Sequence, residues 1–131
     1  MNGLHLIGDF YRCACIPALL RDANALERLC VGLCTRAGLT PVGRLFHRFA
    51  GPAGDSAGVT GAVILAESHL AIHTWPETAS VTLDLYVCNF SGDNRERARA
   101  VFAALAEALA PQVQRCEEIA RGELPGAFQV A

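Results

Sequence analysis

The chain has 131 residues, of which 52% are hydrophobic and 18% are charged, with a net charge of -2. This composition predicts one compact domain over residues 1–131 and excludes a disordered chain. The small net charge and the lack of a Lys/Arg cluster exclude electrostatic binding of nucleic acid, and no apolar run approaches the roughly 18 residues of a membrane helix.

The six cysteines are expected to be reduced thiols, because nothing in residues 1–10 indicates export. These first residues lack a basic segment and include Asp9, so they do not resemble a signal peptide. We therefore expect a cytoplasmic enzyme, since disulfides are rare in that compartment. Cys30 and Cys34 lie four residues apart in a predicted helix, where they would act as small buried apolar residues.

Apolar periodicity predicts strands and two helices along the chain. The predicted elements are a strand over 4–10, a helix over 22–37, strands over 42–49, 59–65, 70–75 and 81–87, a helix from 93 to about 109, and a last strand over 113–119. Gly38 stands where the first helix should end, and Asp93 with Glu96 predicts a capping box at the start of the second. A flexible loop rich in Gly, Ala and Pro is expected over 50–57.

This order of elements predicts an α+β fold, a two-layer sandwich in which an antiparallel sheet carries both helices on one face. The other sheet face would need a cover, and a second copy of the chain is the simplest source. We therefore expect a homodimer in which two such sandwiches form a larger α/β/β/α assembly.

One short run holds most of the residues that could carry chemistry. Ser68 follows the carboxylate Glu67, with His69 and His73 just downstream and Cys88 one predicted strand further on. Strand alternation would place the two histidines on one face. Taken singly, each histidine could be a hydrogen-bonded structural residue and Cys88 could be packing. Together, they suggest a backbone that cleaves itself and converts the serine into a carbonyl cofactor.

Several motifs resemble the bacterial and archaeal S-adenosylmethionine decarboxylase proenzymes. They are Gly58-Val59-Thr60-Gly61, Ala66-Glu67-Ser68-His69, Ile72-His73-Thr74-Trp75-Pro76-Glu77 and Tyr86-Val87-Cys88. The resemblance extends from Leu4 to about Arg121, and therefore covers nearly the whole chain.

The resemblance implies that the chain cleaves itself between Glu67 and Ser68. Ser68 Oγ would attack the carbonyl carbon of Glu67 to give an ester, and a base would then remove the Cα proton of Ser68 so that the ester is eliminated. Hydrolysis of the resulting dehydroalanine releases ammonia and leaves a pyruvoyl group at the head of an alpha chain, 68–131, with 1–67 as the beta chain. His73 is the implied base. Thr60 replaces a family serine that assists processing, so slower maturation is expected.

The resemblance also implies the chemistry of the mature enzyme. The pyruvoyl cofactor would form a Schiff base with S-adenosylmethionine and accept the electrons left when carbon dioxide departs. Cys88 would then return a proton, because a thiol is mostly protonated at neutral pH. Glu77 would bind the ribose hydroxyls, and Phe49 would pack on the adenine. The product would serve spermidine biosynthesis, and no metal site is expected.

Two other functions share these residues. A pyruvoyl-dependent arginine or ornithine decarboxylase would use the same Ser68, His73 and Cys88, although Glu77 with Phe49 favours a nucleoside. A non-catalytic partner of an active homologue is the second alternative, which the intact set of reactive residues disfavours.

A metal-binding module is an alternative of a different class. Its ligands would be His69, His73 and Cys88, and His47 is a candidate for a fourth ligand. The spacing of these residues fits zinc loosely. This alternative gives no role to Glu67 or Ser68.

Overall fold

Six strands form one sheet in the computed structural model, which describes residues 2–124 and 126. The elements in chain order are β1 (Gly3–Cys13), α1 (Ala18–Arg21), α2 (Ala23–Arg36), β2 (Pro41–Ala50), β3 (Ser56–Leu65), β4 (Ser68–Trp75), a 3-10 helix (Pro76–Thr78), β5 (Ser80–Cys88), α3 (Arg95–Leu109) and β6 (Pro111–Arg121). Every predicted strand and helix is confirmed. The short α1 and the 3-10 helix were not predicted.

The strand order is β2-β3-β4-β5-β1-β6, and all neighbouring strands are antiparallel. Strands β2 to β5 follow one another as a meander, whereas β1 enters between β5 and β6. This order places the first and last strands side by side at one end of the sheet. The predicted antiparallel sheet is therefore confirmed.

Both long helices cover the same face of the sheet, as predicted. Helix α2 buries Leu26, Cys30 and Cys34, and α3 buries Val101 and Leu105, against the alternate strand residues that form the core. Burying a large apolar side chain contributes about 1.5–3 kcal/mol, so this layer dominates the stability of the domain. None of the described helices has the length and the apolar composition of a membrane span.

Local chemistry explains the ends of α2. Asp22 Oδ1 accepts hydrogen bonds from the backbone N–H groups of Asn24 and Ala25, at 2.8 and 3.4 Å. These bonds satisfy donors that the first turn of a helix leaves free. At the other end, Gly38 follows with φ of +90°, a left-handed conformation that glycine adopts without strain.

The cysteines of α2 are packing residues, as predicted. Cys30 and Cys34 are fully buried in the core, and both are free thiols. Burial raises the pKa of Cys34 to about 11 and also raises that of Cys30, because a thiolate is disfavoured away from water.

The predicted capping box of α3 is wrong. The N-cap position is Asn94, whose side chain makes no capping bond, and the Asp93 carboxylate accepts from the backbone N–H of Arg95 at 3.1 Å and pairs with its guanidinium. This partner lowers the pKa of Asp93 to about 2. Glu96 pairs with Arg99. The reciprocal bonds of a capping box do not form because nearby arginines take both carboxylates.

The second sheet face, which we call the open face, has no helix over it in the described chain. Cross-strand pairs place all four histidines on this face, along with Leu45 and Ile64, which are 75% and 47% exposed. Strand residues of the opposite alternation, such as Leu70 and Ile72, are fully buried. The open face therefore carries exposed apolar side chains among polar ones, as expected of a sheet face that requires a cover.

Candidate active site

Glu67 precedes the predicted cleavage site in an unusual backbone conformation. Ala66 and Glu67 alone connect β3 to β4, because Leu65 pairs directly with Ser68. Glu67 has φ of +67°, in the left-handed region that costs a residue with a Cβ roughly 1–2 kcal/mol. Its carboxylate accepts a 3.4 Å hydrogen bond from Ser91. The amide between residues 67 and 68 thus adjoins a strained residue in a tight turn.

Ser68 and Cys88 are brought together by the pairing of β4 with β5. Both are buried, at 9% and 7% exposure, and the Cys88 backbone N–H donates to Ser68 Oγ at 3.1 Å. Asn94, ahead of α3, donates from Nδ2 to the Cys88 carbonyl at 2.9 Å and holds the end of β5. Sequence reasoning missed Asn94, because the predicted helix began at residue 93 and therefore included this asparagine.

His73 and Thr60 form a second pair. They stand directly opposite each other on β4 and β3, with Thr60 Oγ1 and His73 Nδ1 3.2 Å apart. The ring of Trp75 lies beside His73, with a centroid separation of 6.2 Å. The structure therefore places the predicted processing residues within hydrogen-bonding distance.

The glycines on either side of Thr60 have steric roles. Gly58 has φ of +123°, and a Cβ there would collide with the Thr74 carbonyl oxygen. A Cβ on Gly61 would overlap the ring of Phe46 on the neighbouring strand. These contacts explain why the motif around Thr60 has glycine at both positions.

Phe49 and Glu77 lie at the same end of the sheet as His73. Phe49 is 48% exposed on the open face, and its ring meets that of His47 edge-on at 4.7 Å. Glu77 is exposed in the 3-10 helix and lines a cleft with Arg21 and Asp55. Neither residue is part of the core, so both are available for a ligand.

The predicted site residues fall into two separate groups. One group, the Ser68 half, comprises Ser68 and Cys88. The other, the His73 half, contains the residues at the opposite end of β4: Phe49, Thr60, His73 and Glu77. Ser68 and His73 are five residues apart on one strand, which corresponds to about 16 Å at 3.3 Å per residue. A single chain therefore does not bring the predicted base within reach of the predicted nucleophile.

The predicted metal-ligand set does not converge. His69 Nε2 lies 3.2 Å from Asp84 Oδ1 and is grouped with His5, not with His73 or Cys88. His47 is on β2, opposite Thr60, away from His69. The metal module proposed from sequence spacing is therefore wrong in its ligands.

Comparison with known proteins agrees with the motifs. The family model for S-adenosylmethionine decarboxylase matches residues 4–122. The S-adenosylmethionine decarboxylase proenzyme of Thermoplasma volcanium is 35% identical over 124 residues, covering 95% of this chain and 87% of that protein. That of Thermosipho melanesiensis is 36% identical over 121 residues, covering 92% and 85%.

A solved structure shares the fold as well. The crystal structure of the adenosylmethionine decarboxylase from Aquifex aeolicus superposes with a TM-score of 0.79 and 29% sequence identity, covering 95% of this chain and 93% of that one. With the family model spanning nearly every described residue, the chain belongs to the S-adenosylmethionine decarboxylase family of enzymes.

Proposed function

We propose that this protein is a self-processing, pyruvoyl-dependent decarboxylase that converts S-adenosylmethionine into S-adenosylmethioninamine and carbon dioxide for spermidine biosynthesis. The observation that carries the proposal is the environment of Ser68. Its buried hydroxyl accepts a hydrogen bond from the backbone N–H of Cys88, and the preceding residue, Glu67, has a left-handed backbone conformation. A hydrolase would need a general base within hydrogen-bond reach of its serine. The described neighbours of Ser68 favour chemistry on its own backbone instead.

Self-cleavage would use the turn between β3 and β4. The Cys88 N–H bond orients Ser68 Oγ, and the left-handed φ of Glu67 raises the energy of the uncleaved turn. Attack of Oγ on the Glu67 carbonyl carbon exchanges an amide for an ester, and elimination of that ester then separates residues 1–67 from 68–131.

The base for elimination would come from a second copy of the chain. His73 is about 16 Å along β4 from Ser68 in its own chain, beyond the roughly 3 Å over which a proton is transferred. A two-fold dimer that joins open faces would bring the Ser68 half of each chain to the partner's His73 half. This arrangement would create two equivalent sites and cover the exposed Leu45 and Ile64.

The mature site would then combine a carbonyl cofactor with groups for each part of the substrate. The pyruvoyl group derived from Ser68 supplies an electron sink for decarboxylation. Ser68 is the first residue of β4, beside buried Cys88, so a group at this chain end would adjoin a thiol that can deliver a proton. Glu77 would accept hydrogen bonds from the ribose diol, and Phe49 would offer a flat face to the adenine.

Ser68→Ala tests the self-processing step. Purified wild type should give two fragments on a denaturing gel, with the mass of a pyruvoyl group at the head of the 68–131 chain. Ser68→Ala should remain one chain and release no carbon dioxide from S-adenosylmethionine. Ser80→Ala serves as the matched control, because the Ser80 hydroxyl donates to the nearby Thr78 carbonyl and has no other side-chain hydrogen bond among the described residues. Normal cleavage of Ser68→Ala would refute the proposal.

Substrate choice is tested by measuring carbon dioxide release from S-adenosylmethionine, arginine and ornithine side by side. The exposed Glu77 and Phe49 predict turnover of the nucleoside substrate alone. Faster release from either basic amino acid would contradict the proposed substrate but would still be consistent with the proposed pyruvoyl cofactor.

The composite site is tested by complementation between inactive chains. Co-expressed Ser68→Ala and His73→Ala variants should form mixed dimers in which one site has Ser68 from one chain and His73 from the other. We expect cleavage only in the His73→Ala chain, which retains its serine, while each variant alone stays uncut. If the mixture also stays uncut although mixed dimers form, the trans arrangement is wrong.

A further inference from the structure

Three polar side chains from three strands converge on the open face, outside both halves of the proposed active site. His5 of β1, His69 of β4 and Asp84 of β5 each offer one ligand atom, and these atoms all lie within 4.8 Å of one another. His69 Nε2 is 3.2 Å and His5 Nε2 is 3.6 Å from Asp84 Oδ1. Sequence analysis did not predict this set, because its members are spread from residue 5 to residue 84.

The two separations that involve the Asp84 carboxylate suit a tetrahedral ion. Zinc bonds to nitrogen and oxygen are about 2.0–2.2 Å long, which places neighbouring ligand atoms of a tetrahedron roughly 3.3–3.5 Å apart. The two measured distances to the carboxylate oxygen bracket that edge. Two imidazoles and one carboxylate also form a donor set that favours zinc and related transition ions over magnesium.

The hydrogen bonds of His5 leave one ring nitrogen poorly satisfied. Arg121 Nη1 lies 3.0 Å from His5 Nδ1, and because a guanidinium can only donate, Nδ1 must accept. Neutral His5 therefore carries its proton on Nε2, which is buried and has no hydrogen-bond acceptor in the described chain. A buried polar group without a partner is costly, so a ligand at this nitrogen would relieve a real deficit.

We propose that His5, His69 and Asp84 bind one divalent transition-metal ion, typified by Zn²⁺, with a fourth position left for water or another ligand. Binding moves the His5 ring proton from Nε2 to Nδ1 and requires Arg121 to withdraw. Arg121 is then a competitor of the metal, and its guanidinium can remain over the Tyr86 ring, whose centroid is 5.3 Å away.

The site would also join the two proposed product chains. His5 lies in 1–67, whereas His69 and Asp84 lie in 68–131. An ion held by all three would crosslink the chains at His69, the residue that directly follows Ser68. It would therefore stabilise the cleaved protein by mass action.

The test is a calorimetric titration of metal-free full-length protein with Zn²⁺, together with the visible spectrum of the Co²⁺ form. We expect one ion per chain, at least about tenfold weaker binding in His69→Ala and in Asp84→Asn, and no change in His47→Ala, another open-face histidine outside the set. Arg121→Gln should bind more tightly. Mg²⁺ should not compete.

Several outcomes would overturn the proposal. One is the absence of Zn²⁺ binding, and another is unchanged affinity in both folded ligand variants. A thiolate charge-transfer band in the Co²⁺ spectrum would likewise assign the ion to the cysteines. Equal or weaker binding by Arg121→Gln would reject the competition between Arg121 and the metal.

Discussion

At the residue scale, Cys88 is expected to serve turnover and not cleavage. Its backbone N–H, which donates to Ser68 Oγ, is retained in Cys88→Ala, whereas the thiol, the proposed proton donor, is lost. We predict normal formation of the two fragments and a fall in kcat of about 10²–10⁴-fold, the usual contribution of a general acid. The measurements are a denaturing gel and carbon dioxide release, with the exposed Cys116→Ala as control. Wild-type turnover would remove Cys88 from the mechanism.

Thr60 is the residue that should control the rate of maturation. Its hydroxyl lies 3.2 Å from His73 Nδ1, so Thr60→Val keeps the side-chain shape while removing the partner of the ring. Loss of one hydrogen bond is worth about 1 kcal/mol, which predicts roughly fivefold slower cleavage. Thr60→Ser keeps the hydroxyl without the methyl group and should cleave at least as fast as wild type.

A time course of precursor disappearance measures both Thr60 variants. Thr82→Val is the matched control, since Thr82 stands opposite His73 on the other neighbouring strand. Equal rates for Thr60→Val and wild type would show that the hydroxyl has no part in processing.

At the element scale, the turn between β3 and β4 stores conformational energy. In the uncleaved Ser68→Ala background, Glu67→Gly should raise the free energy of unfolding by about 1 kcal/mol, because glycine adopts the +67° φ without strain. Ala66→Gly in the same background should bring no gain, since Ala66 does not have a positive φ. Denaturant unfolding compares them, and equal effects of the two substitutions would contradict stored strain at Glu67.

At the scale of the whole molecule, the open face should be the surface on which two copies meet. An aspartate at Leu45, 75% exposed on this face, would bury a charge at the interface and should convert a dimer into monomers that do not cleave. Phe90→Asp is the control, because Phe90 is equally exposed but lies in the loop after β5. Sedimentation velocity gives the mass of each variant. A dimeric, fully cleaved Leu45→Asp protein would place the interface elsewhere.

The local patterns that predicted the fold were those with a clear period. Alternation in β4 correctly separated the half-buried His73 from the fully buried Leu70 and Ile72, since successive side chains of a strand point to opposite faces. Helix α1, four residues long, was missed because it is too short to show a helical period. The α3 capping box was wrong because the pattern did not include the competing arginines.

The sequence by itself determined the class of fold and the order of its elements and predicted the reactive residues, because periodicity and motifs depend on near neighbours. Only the tertiary structure decided which of those residues meet. Strand register joined Ser68 to Cys88 and Thr60 to His73, separated the two pairs along β4, and assembled His5, His69 and Asp84 from distant segments. Register is set by the packing of whole strands against a shared core, so no local stretch of sequence contains it.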